Sequence, residues 1–139
     1  CAMGDRTFYL PGQGEMKLQF FHVRDFCRFI EILLEKHPEQ KIFNVGNKET
    51  VTVREWVEIC YHAAGKAPEF VSVDQSVFQR SYFCFHDYDY VLDVSRQSEL
   101  MPDTIPLEQG LQEEFEWYKA NPDSVYRRNP YMEYIDNNL

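Results

Sequence analysis

Leu18-Gln19-Phe20-Phe21-His22-Val23-Arg24-Asp25 is an apolar run that passes directly into charged residues. After it, apolar side chains recur three and four apart at Val23, Phe26, Cys27, Ile30, Leu33 and Leu34. The first part reads as a strand over residues 17–21. The second reads as a helix over residues 22–36 with that stripe as its buried face. Asp25 falls in the first turn, where a carboxylate meets the positive end of the helix dipole. Lys36 and His37 fall at the other end, and Pro38 marks the stop. Phe29 and Ile32 lie off the main stripe, so the helix is apolar on more than one side and is expected to be covered on more than one side.

Further along, Lys41-Ile42-Phe43-Asn44-Val45-Gly46-Asn47 reads as a strand. Thr52-Val53-Arg54-Glu55 is a capping-box sequence, and Val53, Trp56, Val57, Cys60, Tyr61 and Ala64 continue it as a helix up to Gly65. Before the opening stretch, Phe8-Tyr9-Leu10 forms a short strand closed by Pro11-Gly12. Beyond the second helix, residues 69–73 read as a strand and residues 82–92 as extended chain. Asp93 and Ser95 are candidate caps for a short helix ending near Leu100-Met101-Pro102. After Pro106 a long helix carries Leu107, Leu111, Phe115 and Tyr118 on its apolar side and Glu108, Glu113, Glu114 and Glu116 on its wet side. The tail keeps Tyr126, Tyr131, Tyr134, Ile135 and Leu139, too apolar for a free terminus, and is expected to dock. This order suits an α/β fold, or α+β as an isolated unit, in a single domain over residues 1–139.

A chain of 139 residues that is 44% hydrophobic and 16% aromatic can build one core but not two of ordinary size. Its net charge of -9 opposes binding to nucleic acid, which depends on Lys and Arg displacing counterions. No apolar run reaches the roughly 18–20 residues of a membrane span, and the first residues lack the basic-then-apolar pattern of a signal peptide. A soluble, cytoplasmic protein with no membrane partner is expected. Cys1, Cys27, Cys60 and Cys84 are widely spaced without a Cys-x-x-Cys pair, so reduced, metal-free thiols are expected, with Cys27 and Cys60 packed inside.

The order of these motifs resembles the extended short-chain dehydrogenase/reductase family, the NAD-dependent epimerases and dehydratases of sugar nucleotides. There a strand ending in His-Val-x-Asp opens a long helix, and a Phe-Asn-Val-Gly-Asn strand leads through a Thr or Ser cap into the next. The likeness runs from Phe8 to Leu107-x-x-Gly110-Leu111. Two family motifs are missing: no Gly-rich loop precedes a helix to seat a dinucleotide pyrophosphate, and no Tyr-x-x-x-Lys pair is present. The resemblance therefore implies the C-terminal, substrate-binding part of such an enzyme, inactive by itself. It implies NAD bound by a separate N-terminal Rossmann half, a sugar-type substrate and, through an uncovered helix face, a homodimer of the isolated chain.

In relatives an Arg on the strand before His-Val-x-Asp contacts the sugar nucleotide's phosphates. Here that position falls at Leu18, or at Gln19 with a one-residue slip, which makes Gln19 the polar candidate. A second family Arg follows the strand that contains Val71, and Arg80 occupies that segment. A guanidinium grips phosphate or carboxylate through two parallel hydrogen bonds; the competing use is a surface pair with Asp74 or Asp87. Asp87 is also the match for an Asp that touches ribose. His22 is expected to order the helix entry rather than to move protons. His86 beside Asp87 has no identifiable nucleophile to serve, and no catalytic residue is assigned. Two rival readings remain: a noncatalytic binding or regulatory relative, since some carry a similar Gln19-x-x-His22-Val23 strand, and a self-standing protein-interaction module using the aromatic tail.

Overall fold

The computed structural model describes residues 1–124 and 129–139. Strand β1 (Phe8–Pro11) pairs in parallel with β4 (Phe70–Val73), and β2 (Lys17–Leu18) pairs antiparallel with β3 (Val51–Thr52). Helix α1 (Val23–Lys36) follows β2, and α2 (Val53–Ala63) follows β3 directly. Later come α3 (Ser95–Leu100), α4 (Leu107–Ala120) and α5 (Pro130–Asn138). The mixture of helix and strand agrees with the expected class. Leu10, Leu18, Val53, Val57 and Tyr61 form the centre of the core, where α2 meets both strand pairs.

The helix signals act as their chemistry dictates. Thr52 accepts from the Glu55 amide while Glu55 returns a bond to the Thr52 amide at 2.7 Å, a complete capping box. After Ala64 the chain turns at Gly65 with φ +76°, and Lys66 donates back to the Tyr61 carbonyl. His22 caps α1 through its ring: Nδ1 accepts from the Arg24 amide at 3.1 Å. Asp93 accepts from the Ser95 amide at 2.9 Å, but Val94 is the N-cap of α3 and supplies no side-chain bond, and Ser95 is already helical. The tail does dock: Ile135 of α5 is buried in the core, and Asp136 pairs with Arg6. Tyr126 lies outside the described residues.

Three expectations are corrected. The stripe Val23, Phe26, Cys27, Ile30 and Leu34 does not face the core. Val23 is 68% and Leu34 66% exposed, while Phe29 and Asp25 are buried. Spacing shows which residues share a face, but a helix with two apolar faces does not say which one its own chain will cover. For the same reason Cys27 is exposed rather than packed. Cys60, on α2, is half-buried, and burial pushes its thiol up to about 12.

The third correction is that residues 41–47 form no strand among the described residues. A strand exists through its ladder partner, and residues 42–45 have no backbone-to-backbone hydrogen bond among the described residues. Phe43 packs edge-on against Phe29 of α1 at 5.4 Å, and Gln97 of α3 bonds both the amide and the carbonyl of Gly46. Residues 82–92 likewise run without a ladder, tied to β2 where the Tyr90 amide donates to the Lys17 carbonyl.

Candidate functional site

Strands β1 and β4 are parallel, so their carboxyl ends stop side by side, with Pro11 opposite Val73. Each must turn away there. Gly12, at φ +53°, carries the chain out of β1. After β4, Asp74 accepts from the Ser76 amide at 2.9 Å and begins a turn that ends in a single 3-10 turn, Gln79–Ser81. A cleft of about 590 Å³ opens between these turns. Ligands in α/β folds commonly bind beyond the carboxyl ends of parallel strands, where diverging loops leave space.

Arg80 stands on one wall, half-buried, with no hydrogen bond or ion pair from its guanidinium among the described residues. The competing expectation of a pair with Asp74 or Asp87 is not what the structure shows. Asp87, Asp89 and His86 line the cleft with it. Asp89 accepts from the Lys17 amide at 2.8 Å, which fixes its carboxylate and anchors residues 86–90 to β2. Gln79 donates to the Phe85 carbonyl at 3.1 Å and fixes the turn beside Arg80. The His86 ring stacks on Tyr88 at 5.4 Å, and Tyr88 on Tyr90 at 4.8 Å, so the aromatics form a ladder beside the cleft.

This arrangement can hold a molecule with an anionic end and a hydroxylated end. An unpaired guanidinium offers forked donors to phosphate or carboxylate, and two carboxylates accept from hydroxyl groups. Of the three expected substrate residues the cleft brings together Arg80 and Asp87. Gln19 is elsewhere: its amide donates to the Asn47 carbonyl at 2.8 Å and accepts from the Leu92 amide at 2.8 Å. It braces three segments of chain. Asp89 was missed, although Asp87-Tyr88-Asp89 carried a signal, since residues two apart in extended chain share a side. No described group of three or more His, Cys, Asp or Glu side chains is placed to hold a metal ion.

Comparison with known proteins gives a consistent family. The chain is 28% identical over 123 residues to a trifunctional UDP-glucose 4,6-dehydratase, UDP-4-keto-6-deoxy-D-glucose 3,5-epimerase and UDP-4-keto-L-rhamnose reductase of Arabidopsis thaliana, covering 88% of this chain and 18% of that one. It is 29% identical over 112 residues to a dTDP-glucose 4,6-dehydratase of Streptomyces niveus, covering 79% and 32%. Among solved structures, dTDP-glucose 4,6-dehydratase of Bacillus anthracis in complex with NAD superposes with a TM-score of 0.65 at 26% identity, over 88% of this chain and 38% of that one. UDP-glucuronic acid 4-epimerase of Bacillus cereus, also with NAD, shares the fold with a TM-score of 0.61 at 18% identity, over 90% and 37%. No family model matches. In sequence and fold the chain is similar to part of extended short-chain dehydrogenase/reductases of the epimerase and dehydratase type. It spans between about a fifth and two fifths of the length of these relatives.

Proposed function

We propose that this chain is the substrate-binding part, a single domain, of an NAD-dependent epimerase or dehydratase that acts on a sugar nucleotide in the cytoplasm. The observation that carries this reading is Arg80, unpaired in a cleft at the carboxyl ends of two parallel strands with Asp87 and Asp89 on the same wall system. In this reading Arg80 takes a phosphate of the substrate, and Asp87 takes a hydroxyl group of the ribose or the sugar. Gln19 acts by position, since it holds residue 92 to the 47 loop. NAD and the proton-moving groups belong to an N-terminal Rossmann half, which supplies the chemistry when NAD is bound there.

Two features of the surface support that partnership. Helix α1 presents Val23, Phe26, Ile30 and Leu34 to solvent as one apolar stripe, and large exposed stripes mark contact surfaces. Residues 42–45, whose Phe43 packs on Phe29 of the same helix, present backbone groups without a ladder among the described residues, which is what an adjoining strand would pair. Without that half, the same stripe would favour a homodimer of this chain.

The test is titration of the 15N-labelled chain with UDP-glucose, followed by amide shifts. Saturable shifts centred on residues 76–89, lost in Arg80→Ala and partly kept in Arg80→Lys, are expected. Equal binding by Arg80→Ala would refute the assignment of this cleft.

A further inference from the structure

A cleft of about 460 Å³ is lined from α2, α4, α5 and the chain before β1. Among the described residues it shares only Tyr82 with the cleft around Arg80. Phe8, Trp56, Phe83, Phe115, Met132 and Ile135 give it an apolar wall. Phe8 and Phe83 meet edge to face at 6.0 Å, the arrangement in which a further ring would join them. Small molecules bind in clefts of roughly 300–1,000 Å³ that are mostly apolar and carry a few placed polar groups.

The wall favours a neutral occupant. Arg6 is the only charged side chain among the described lining residues, and it is already paired with Asp136. The Tyr61 hydroxyl is also taken, since it donates to the Arg6 carbonyl. Cys60 and Cys84 line the cleft as neutral thiols, because burial pushes both up, Cys60 to about 12. An ion would leave water for side chains that offer it no free charge.

One polar group in the wall is unused. Tyr82 is 5% exposed, and its hydroxyl makes no hydrogen bond among the described residues. That hydroxyl is nevertheless open: Asn47 Oδ1 is the one described side-chain oxygen or nitrogen that is sealed off without a partner. Burial raises the Tyr82 phenol with no contribution from Arg80 two residues away, whereas the Arg80 charge is felt at Cys84 and Tyr88. The hydroxyl therefore lies away from the Arg80 guanidinium, on the side of the apolar cleft. Buried hydroxyl groups are normally paired, so an open and unpaired one in an apolar wall is a point for a ligand's hydrogen bond.

We propose that this cleft binds a small, neutral aromatic compound whose N-H or O-H group donates to the Tyr82 hydroxyl oxygen. The ring lies among Phe8, Phe83 and Phe115, and the thiols of Cys60 and Cys84 add polarizable surface. The inference stands apart from the Arg80 cleft, which takes an anion.

The experiment titrates the 15N-labelled chain with indole, with 1-methylindole and with indole-3-acetate. Saturable shifts centred on residues 56–61, 82–84 and 131–135 are expected with indole, at a dissociation constant on the order of millimolar or below. Indole-3-acetate should produce none of them. 1-Methylindole keeps the ring but lacks the donor, and should bind several-fold more weakly than indole. Tyr82→Phe keeps the aromatic wall and removes the acceptor, so it should weaken indole about three- to tenfold and leave 1-methylindole unchanged. Met132→Trp fills the cleft from α5 and should abolish binding of both neutral compounds with unchanged circular dichroism. No saturable response to indole, shifts scattered over the surface, or equal binding of indole-3-acetate would overturn the proposal. So would a folded Tyr82→Phe or Met132→Trp variant that binds indole as well as the parent.

Discussion

The carboxylate of Asp25, with no exposed surface, accepts a hydrogen bond from the Ile105 amide 2.6 Å away and ties the first turn of α1 to the residue before Pro106. Its other oxygen pairs with Arg28 at 2.8 Å, one turn on. The Asp of the His-Val-x-Asp motif is thus a structural brace between two segments eighty residues apart. Removing it leaves a buried amide without an acceptor and a half-exposed guanidinium without its partner. Asp25→Ala is expected to cost on the order of 3 kcal/mol, read from the urea midpoint. Asp25→Asn keeps an acceptor oxygen and should cost clearly less; equal loss in both would mean that the charge, not the acceptor, matters.

The two faces of α1 should answer differently to substitution. Phe29 packs on Phe43 and is buried, so Phe29→Ala should cost about 3–5 kcal/mol. Phe26 and Ile30 lie on the exposed stripe, so a Phe26→Glu, Ile30→Lys double variant should keep its fold. Covering each such side chain is worth roughly 1.5–3 kcal/mol, enough for several to drive weak self-association. Sedimentation should show the parent chain associating at high concentration and the double variant as a monomer. Unfolding of the double variant would place that stripe in the core after all.

These faces show what was legible in the sequence. The 3.6-residue repeat gave the helix and its ends, because capping and periodicity are local: His22, Lys36 and the Thr52/Glu55 box all fall where expected. The choice of buried face was not local, since it depends on a residue outside the helix, Phe43, that packs against Phe29. Residues 41–47 have the composition of a buried strand but no partner to make them one, and pairing is never written in the strand itself. At the site, Arg80 and Asp87 were legible through residue chemistry and order. The use of Gln19 as a brace depends on Leu92, seventy-three residues away, and no spacing rule reaches that far.

Acid should weaken the start of α2 in a way that one substitution reduces. Bonds from the Thr52 amide and hydroxyl hold the Glu55 carboxyl below the usual glutamate value. A group whose folded pKa is depressed contributes stability above its unfolded value, near 4.3 for glutamate, and loses it as pH falls through the folded one. Thr52→Ala should cost about 1 kcal/mol at neutral pH, and the gap from the parent should narrow below about pH 4. Asp74 and Asp93, also lowered by hydrogen bonds from Ser76 and Ser95, shift both proteins alike and drop out of the difference. A gap that stays constant down to pH 2.5 would show that the Thr52 hydroxyl contributes nothing through the Glu55 carboxylate.

If the proposed function holds, this chain offers a surface to the sugar nucleotide and none to NAD. Calorimetry of the same preparation with UDP-glucose and with NAD tests it most directly. The sugar nucleotide should bind measurably, and Arg80→Ala should abolish that binding. NAD should bind weakly or not at all, since no Gly-rich turn brings a helix N-terminus to its pyrophosphate. Binding of NAD with a dissociation constant on the order of micromolar, about -8 kcal/mol, together with indifference to UDP-glucose, would contradict the account.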